Sequence, residues 1–393
     1  MKIAVASSGL GHVARGIETW ALDTAQALAG RSVDVTLFCN GQGKTEDGKR
    51  KTEEGVRCQV SGAPAHPDSY SRDRELCVVT LKALKRSDPR ARQLATLFPG
   101  FNWRWGLKSA YGWEQFSFWW RLWPRLRRGA FDILHVQDPM LAYWCRKFRR
   151  LGLVRTREIL AHGTEEPVEF VRQFEYVQHL APYHQEQARA ARTPSAVSGF
   201  RFPGFAKKLR RGKQGSGEDG RQRLRFAIPN FVDVERFKPD PEARRTVRRE
   251  LGIPEDASVA IGVGALKRDH KRVDWLIREF AGFAKAAVSP AYLLLVGAST
   301  EETPALEAAA AEVPGGKIRV MADRPRDAMP RLLAAADVFV HAALFEMMPI
   351  AFLEAMAVGL PVVCHGHPVM RWMVGDETGN WKLETGKSGD EAG

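Results

Sequence analysis

The sequence predicts an α/β fold with two doubly wound, Rossmann-like domains that face a central cleft. Three observations indicate it: the chain has 393 residues, strand-like apolar runs alternate with helical patterns in both halves, and two prolines bracket Asp240 between the halves. We expect a first domain over residues 1–238 and a second over residues 239–393. Because ligands of such sheets bind beyond the carboxyl ends of the strands, the cleft is the expected site.

The first half opens with a strand, a helix and a second strand. Residues 3–6 form a short apolar run, a helical pattern extends from Val13 to Gly30, and residues 33–38 form the next β-branched run. Further strand-like runs lie at residues 131–136 and 158–162, and polar, glycine-rich stretches that predict exposed loops lie at 40–56 and 210–220. We expect an insertion at about residues 40–130.

The second half repeats the alternation of strand and helix with greater regularity. Its predicted strands lie at residues 259–263, 292–296, 317–321, 338–341 and 361–364. Its predicted helices lie at residues 273–286, 305–311, 326–336 and 349–358. Such a run of strand–helix units predicts a second parallel sheet covered by helices.

The amino-acid composition restricts the classes of binding partner that we expect. There are 59 Lys and Arg against 46 Asp and Glu, a net charge of +13, which favours anionic partners: nucleotides, phosphorylated sugars, nucleic acid or acidic lipid headgroups. The five cysteines are scattered without a CxxC pair, which predicts a reducing cytosol. No apolar run approaches 18 residues, and the one at the amino terminus is too short for a signal-peptide core.

A glycine-rich turn, Gly9-Leu10-Gly11, lies between the first strand and the first helix. Glycines at such a turn allow backbone N–H groups to approach a phosphate. The acidic residue that a dinucleotide site needs at the end of the second strand is absent, which disfavours NAD or FAD. A loop that admits a phosphate or an acceptor group and a tight turn without a ligand remain as alternatives.

Two glutamates, Glu346 and Glu354, stand eight residues apart around the start of a predicted helix. Pro349 suits the first turn of that helix, and Gly359 with Pro361 ends it. Eight helical residues span about 12 Å, which is too far for the close carboxylate pair of a retaining glycosidase. We expect the two glutamates to contact different parts of one extended ligand.

This segment resembles the retaining family 4 glycosyltransferases of the GT-B fold, whose signature is E-x7-E followed by EAMA-x-G-x-P-V-V, here Glu354 through Val363. The resemblance implies that Glu346 contacts the donor sugar as a catalytic residue and that Glu354 binds the ribose of a nucleotide sugar. Backbone groups of Met347, Met348 and Ile350 would face the sugar and diphosphate. The family usually has Gly-Phe-Gly after the first Glu, and this chain has Met347-Met348-Pro349, where Pro349 offers no N–H.

Two further stretches, residues 228–239 and 264–274, are similar to family patterns. In the second, Lys271 matches a lysine that neutralises the donor diphosphate, and Ala265 replaces the usual Arg, so Lys267 or Arg268 is expected to supply the second charge. The other implied residues are a catalytic His162 in the cleft, Gly11 at the donor, and Gly9, His12 and Arg15 on the acceptor side.

The resemblance implies transfer of a sugar, with retention, from a UDP- or GDP-linked donor to a hydroxyl of a saccharide, glycolipid or natural product. A non-catalytic nucleotide-sugar or lipid-phosphate binding protein on the same fold is the alternative. No His, Cys, Asp or Glu spacing indicates a metal site, so Mg²⁺ is not supported, and no nucleic-acid-binding motif appears. We expect a cytoplasmic protein, with the inner membrane face as an alternative location.

Tryptophans and arginines crowd the end of the first domain's insertion. Six tryptophans lie at positions 103, 105, 113, 119, 120 and 123, and residues 119–157 hold ten basic against two acidic side chains. This composition suits an anionic membrane surface, a lipid-linked acceptor or stacked sugar rings, and equally a set of core tryptophans with a solvated basic face. Only 29 residues follow Cys364, fewer than in family members, which leaves a truncated second domain or a cleft closed by other means.

Overall fold

The computed structural model of the protein describes residues 1–13, 15–41, 76–97, 106–190 and 224–375. The strands of this part are β1 Lys2–Ala6, β2 Asp34–Cys39, β3 Cys77–Thr80, β4 Ile133–Val136, β5 Arg157–His162, β6 Tyr176–His179, β7 Leu224–Ala227, β8 Ser258–Val263, β9 Ala291–Gly297, β10 Ile318–Ala322, β11 Val338–His341 and β12 Val362–Cys364. The predicted loop at 210–220, most of the one at 40–56, and Trp103 and Trp105 lie outside the described residues.

The helices of the described part are α1 Gly16–Gly30, α2 Pro89–Thr96, α3 Ala110–Arg128, α4 Pro139–Arg150, α5 Val168–Val171, α6 Pro182–Ala190, α7 Pro241–Glu250, α8 Val273–Ala286, α9 Thr303–Ala311, α10 Met329–Ala334, α11 Ile350–Ala357 and α12 Pro368–Met373. The single helix predicted over 326–336 is wrong: a 3₁₀ turn at Arg326–Ala328 precedes α10. Pro330 lacks an N–H and its ring excludes the carbonyl four residues earlier, so an α-helix cannot continue through it.

Two parallel sheets organise these elements, and the predicted fold class is confirmed. The first has the strand order β3-β2-β1-β4-β5-β6-β7 and the second the order β10-β9-β8-β11-β12. The strand order reverses between β1 and β4 in the first sheet and between β8 and β11 in the second. In doubly wound sheets such a reversal opens a crevice at the carboxyl ends of the strands, where ligands bind.

Helix α3 contributes buried side chains to the core of the first sheet. Helix α3 is capped by Ser109, whose Oγ accepts a hydrogen bond of 3.1 Å from the N–H of Gly112. Trp119 is fully buried in this core, whereas Trp120 on the same helix is 57% exposed. At Trp119 the core interpretation is therefore confirmed, and Trp120 leaves an aromatic side chain on the surface.

The connection between the sheets runs from β7 to α7, and the predicted domain boundary at residue 238 lies within it. Phe237, at its end, is buried in the core of the second sheet together with Val247 of α7. Arg248 anchors α7: its guanidinium is buried and donates to the backbone carbonyls of Ala335 and Ala257 at 3.0 and 2.9 Å. These contacts fix α7 to the second sheet.

Two units, each built around one of the sheets, touch at the carboxyl ends of their strands. Leu180 and Ala181, which follow β6, pack against Met347 and Met348, which follow β11. The side-chain amide of Asn230 donates to the carbonyl oxygen of Met348 at 2.8 Å. The cleft predicted from the sequence is therefore closed at this end by direct contact.

Candidate functional site

Glu346 lies in the loop between β11 and α11, where the sequence predicts it. Its carboxylate forms an ion pair with the Lys271 ammonium and a 3.1 Å hydrogen bond with His341 Nε2. Burial alone would raise the pKa of Glu346, but the His341 hydrogen bond and the Lys271 charge lower it to about 2. The group is thus a charged acceptor at neutral pH, suited to receive hydrogen bonds from sugar hydroxyls.

Lys271 is held in place by an unusually close contact beneath its loop. A Cβ added to Gly297, at the end of β9, would lie 1.5 Å from the carbonyl oxygen of Gly264, at the end of β8. Glycine at position 297 therefore allows the loop that follows β8 to fold down over β9. This places Lys271 next to Glu346, which lies 75 residues further along the chain.

Lys267 and Arg268, the candidates for the second positive charge, pair with acidic groups on the surface. Lys267 Nζ lies 3.1 Å from an Asp269 carboxylate oxygen, and Arg268 donates through its backbone N–H to Glu302 Oε2 at 2.7 Å. Neither side chain contacts Glu346 or Lys271 among the described interactions. Their role at a diphosphate stays a prediction.

Glu354 lies in the second turn of α11, as predicted, and is buried. Burial raises the pKa of Glu354 to about 7. The Asp23 carboxylate adds to this increase, and the Arg326 guanidinium, 4.0 Å away, opposes it. Arg326 in turn pairs with Asp23 on α1 of the first unit, at 2.7 and 2.6 Å. Neither Arg326 nor Asp23 was predicted from the sequence, because only the packing of the two units brings them together.

The loop that departs from the family pattern forms part of the contact between units. The side chains of Met347 and Met348 are buried against Leu180 and Ala181. Ile350, the first residue of α11, packs into a cluster of the first unit that includes Trp20. Helix α11 begins at Ile350, so Pro349 stands just before it rather than in its first turn.

His162 ends β5 and is 8% exposed. Its Nδ1 lies 3.3 Å from the Nδ1 of His179, which occupies the register position beside it on β6. Burial, with further effects from His179 and His184, lowers the pKa of His162 well below its usual value, so the imidazole is neutral. The His184 ring lies between His162 and Phe345, at centroid distances of 5.9 and 6.4 Å.

The predicted acceptor-side residues lie in a network of buried charges beyond β1. His12 Nε2 lies 2.9 Å from Glu114 Oε2, and Arg15 Nη2 lies 2.9 Å from Glu18 Oε1. A Cβ on Gly9 would lie 2.0 Å from Glu18 Oε1, so this glycine admits the carboxylate.

Gly11 meets a different constraint. It has a φ of +102°, a region that favours glycine, and a Cβ there would lie 3.1 Å from Gly41. The close approach of the Gly41 backbone thus explains the glycine at position 11, and the roles of Gly11 at the donor and of Gly9 at the acceptor stay predictions.

Sequence reasoning missed several residues of this network, among them Glu114, Arg86 and Asp138. Glu114 on α3 is fully buried and accepts from the Arg86 guanidinium, and Asp138 after β4 accepts from the Ser8 N–H at 2.8 Å and the Tyr111 hydroxyl at 2.5 Å. Asp138 could have been found, because an acidic residue lies two positions after the end of a predicted strand. Glu114 and Arg86 lie in the stretch that the sequence analysis treated as an insertion.

Comparison with known proteins identifies the family. Residues 14–193 match the model described as Glycosyltransferase Family 4, and residues 243–387 match the one described as Glycosyl transferases group 1. The chain belongs to the family 4 glycosyltransferases. The first match includes residues 40–130, in which the sequence analysis recognised no family motif.

Similar proteins support this assignment. The lipopolysaccharide glucosyltransferase WaaG of Escherichia coli is 32% identical over 143 residues, which are 36% of this chain and 37% of WaaG. The chain thus aligns with about a third of the length of the curated relatives. This likeness supports membership of the same family.

Among solved structures, sucrose-phosphate synthase from Thermosynechococcus elongatus has a TM-score of 0.62 at 16% identity, covering 95% of this chain and 83% of that one. HepE of Anabaena, solved with UDP and glucose, has a TM-score of 0.59 at 14% identity over 95% and 83%. At these identities the likeness shows the fold, and it confirms the GT-B architecture.

Within the described ranges, no three His, Cys, Asp or Glu side chains are grouped so that they could hold a metal ion. None of the helices in the described part is long and apolar enough to span a bilayer.

Proposed function

We propose that the protein transfers a sugar from a UDP- or GDP-linked donor to an acceptor hydroxyl, with retention at the anomeric carbon. The observation that carries this proposal is the Glu346 carboxylate, charged and paired with Lys271, at the start of a buried helix whose second turn carries Glu354. A hydrogen-bond acceptor for hydroxyls, a cation and a second carboxylate are the kinds of group that a nucleotide-sugar donor needs.

Each of these groups has a proposed task. Glu346 accepts hydrogen bonds from the donor sugar, and Glu354 accepts them from the ribose. Lys271 turns from Glu346 to the diphosphate, because a leaving diphosphate gains negative charge that a cation stabilises. No protein nucleophile is assigned: the diphosphate leaves, the acceptor attacks the same face, and a leaving-phosphate oxygen takes the acceptor proton.

The first unit presents the acceptor in this proposal. Its crevice between β1 and β4 contains Gly9, His12 and Arg15 beside the buried carboxylates of Glu18 and Glu114. Closure of the two units excludes water that would otherwise hydrolyse the donor. We place the reaction in the cytoplasm, and the exposed Trp120 with its basic neighbours is a candidate contact with an anionic membrane or a glycolipid acceptor.

The test is a panel of UDP- and GDP-sugars offered to the full chain, with release of nucleoside diphosphate as the readout. We expect turnover with at least one donor, and a product whose NMR coupling shows the donor's anomeric configuration. Glu346→Gln should lower kcat by about 100-fold or more, the scale seen when one group stabilising the transition state is removed.

The control is Glu250→Gln, which removes a carboxylate that pairs with Arg331 on the surface of α7 and should leave turnover unchanged. Inversion at the anomeric carbon would contradict the retaining mechanism. Binding of a nucleotide sugar without turnover, for every donor and acceptor offered, would overturn the proposed enzymatic activity and support the non-catalytic alternative.

A further inference from the structure

The carboxyl ends of β5 and β6 carry a pair of buried histidines whose protons are interdependent. His162 and His179 are register partners in a parallel pair of strands, so their side chains lie on the same face of the sheet. Their Nδ1 atoms are 3.3 Å apart. Two protons between these atoms would repel, as would two lone pairs, so one Nδ1 carries a proton and the other accepts it.

Both rings are neutral at physiological pH. Burial, together with the Arg225 charge, lowers the pKa of His179 to about 4, and His162 is lowered well below its ordinary value, chiefly by burial. A neutral imidazole has one N–H and one lone pair. The proton at the shared contact therefore decides which tautomer each ring adopts, and with it whether Nε2 of His162 donates or accepts.

The surroundings favour one of the two arrangements. Arg225 lies on β7, on the opposite side of β6 from β5, and its positive charge is a larger cause of the lowered pKa at His179 than at His162, so we expect its effect at Nε2 of His179. A nearby cation favours a lone pair there over an N–H. His179 then keeps its proton on Nδ1 and donates it to His162, whose own proton must stay on Nε2.

Within the described residues Nε2 of His162 and Nε2 of His179 are both buried without a hydrogen-bond partner, and in this arrangement the proton is on Nε2 of His162. A buried N–H without an acceptor is costly, and such an orphan calls for a partner that arrives with a ligand. The adjoining groups, His184 and then Phe345, lead from His162 toward Glu346 at the proposed donor site.

We propose that His179 is a positioning residue for the transfer reaction: its Nδ1–H donates to His162 Nδ1 and thereby holds on His162 Nε2 the proton that bonds an oxygen of the donor sugar. This inference rests on the proposed function for the identity of the oxygen, and on the geometry of the resting protein for the position of the proton. No proton is transferred in the step; the two imidazoles stay neutral throughout.

The first arm of the test reads the tautomers directly. The full chain, labelled with ¹⁵N at its histidines, is examined by long-range ¹H–¹⁵N NMR at pH 7.5, with His162→Asn and His179→Asn used to assign the two rings. We expect a protonated Nε2 in His162 and a protonated Nδ1 in His179. The reverse pattern would overturn the proposal and leave the proposed function untouched.

The second arm measures transfer. His179→Val removes the donor, and kcat/KM should fall about tenfold, the value of one hydrogen bond. His179→Asn places an amide N–H close to the former Nδ1 and should restore most of the loss. Equal losses of kcat/KM in the valine and asparagine variants would show that His179 contributes only by packing and would overturn the positioning role.

The matched control is His135→Gln. His135 is a buried histidine of the same sheet, also with a pKa lowered to about 4 by burial, and it pairs with Gln178 instead. Transfer in this variant should stay within about twofold of the wild type, well inside the effect of one hydrogen bond. A wild-type protein with the expected tautomers and no transfer would overturn the proposed function and leave the proton assignment standing.

Discussion

Arg326 and Asp23 join the two units through a bidentate ion pair, with both guanidinium nitrogens 2.6 to 2.7 Å from the carboxylate oxygens. The residues are 303 positions apart in the chain, one on α1 and the other in the turn before α10. Both side chains are largely buried, so the pair is screened little by solvent. Arg326 also lies 4.0 Å from Glu354, so this contact between the units forms part of the environment of that carboxylate.

Breaking this pair should favour separation of the units. In Asp23→Asn and Arg326→Met we expect a larger radius of gyration by small-angle X-ray scattering, because a specific contact across the cleft is lost. A double-mutant cycle on the free energy of unfolding should give a coupling of at least about 0.5 kcal/mol. Glu235→Gln, which removes an exposed pair with Lys238, is the control. An unchanged radius of gyration with no coupling would show that this ion pair does not hold the two units together.

Glu354 should make the protein less stable as the pH rises. Its folded pKa of about 7 lies above the ordinary 4.5, so the folded state holds the proton more tightly. The stability from this group is complete below pH 4.5 and is lost as the pH rises through 7, up to about 3 kcal/mol. Glu354→Gln, which mimics the protonated acid, should match the wild type at pH 4.5 in urea unfolding and exceed it at pH 8. An equal difference at both pH values would contradict the raised pKa.

Glu114→Gln should cost about 3 kcal/mol of unfolding free energy at pH 7, because it leaves Arg86 without its main buried partner. Burial alone would raise the pKa of Glu114, yet hydrogen bonds from His12 and Arg86 and the Arg86 charge lower it to about 2. The contribution is therefore present above pH 4.5 and lost as the pH falls through 2.

Urea unfolding between pH 2 and 7 measures this prediction, with Glu250→Gln as the control. Glu250 pairs with Arg331 on the surface, so its loss should cost less than about 1 kcal/mol. Equal costs for the two substitutions would show that the buried network adds nothing beyond a surface pair.

Gly297→Ala should displace the loop that carries Lys271. The added methyl would overlap the Gly264 carbonyl, so we expect a loss of roughly 1–3 kcal/mol in unfolding free energy. Nucleoside diphosphate binding, followed by isothermal calorimetry, should weaken as well. Gly282→Ala on the exposed face of α8, where a Cβ meets open space, should instead stabilise the protein by up to about 1 kcal/mol. Unchanged nucleoside diphosphate binding in Gly297→Ala would show that the close approach of Gly297 to Gly264 does not affect the proposed donor site.

The sequence by itself determined the strand–helix alternation, and in the second half almost every element lies where the periodicity predicts it. It also placed Glu346 before α11 and Glu354 in its second turn, since helix position follows from local spacing and from Gly359. Local patterns suffice here because each element's period and ends depend on residues within a few positions of one another.

Only the tertiary structure decided which side chains meet. The contacts of His162 with His179, of His12 with Glu114 and of Asp23 with Arg326 join positions 17, 102 and 303 residues apart. Strand order and the packing of the two units set these pairings, and both result from burial summed over the whole chain. The charge of +13 is divided accordingly: Arg15, Arg86 and Arg149 pair with the buried carboxylates of Glu18, Glu114 and Glu158, and the fold brings Lys271 to the proposed donor site.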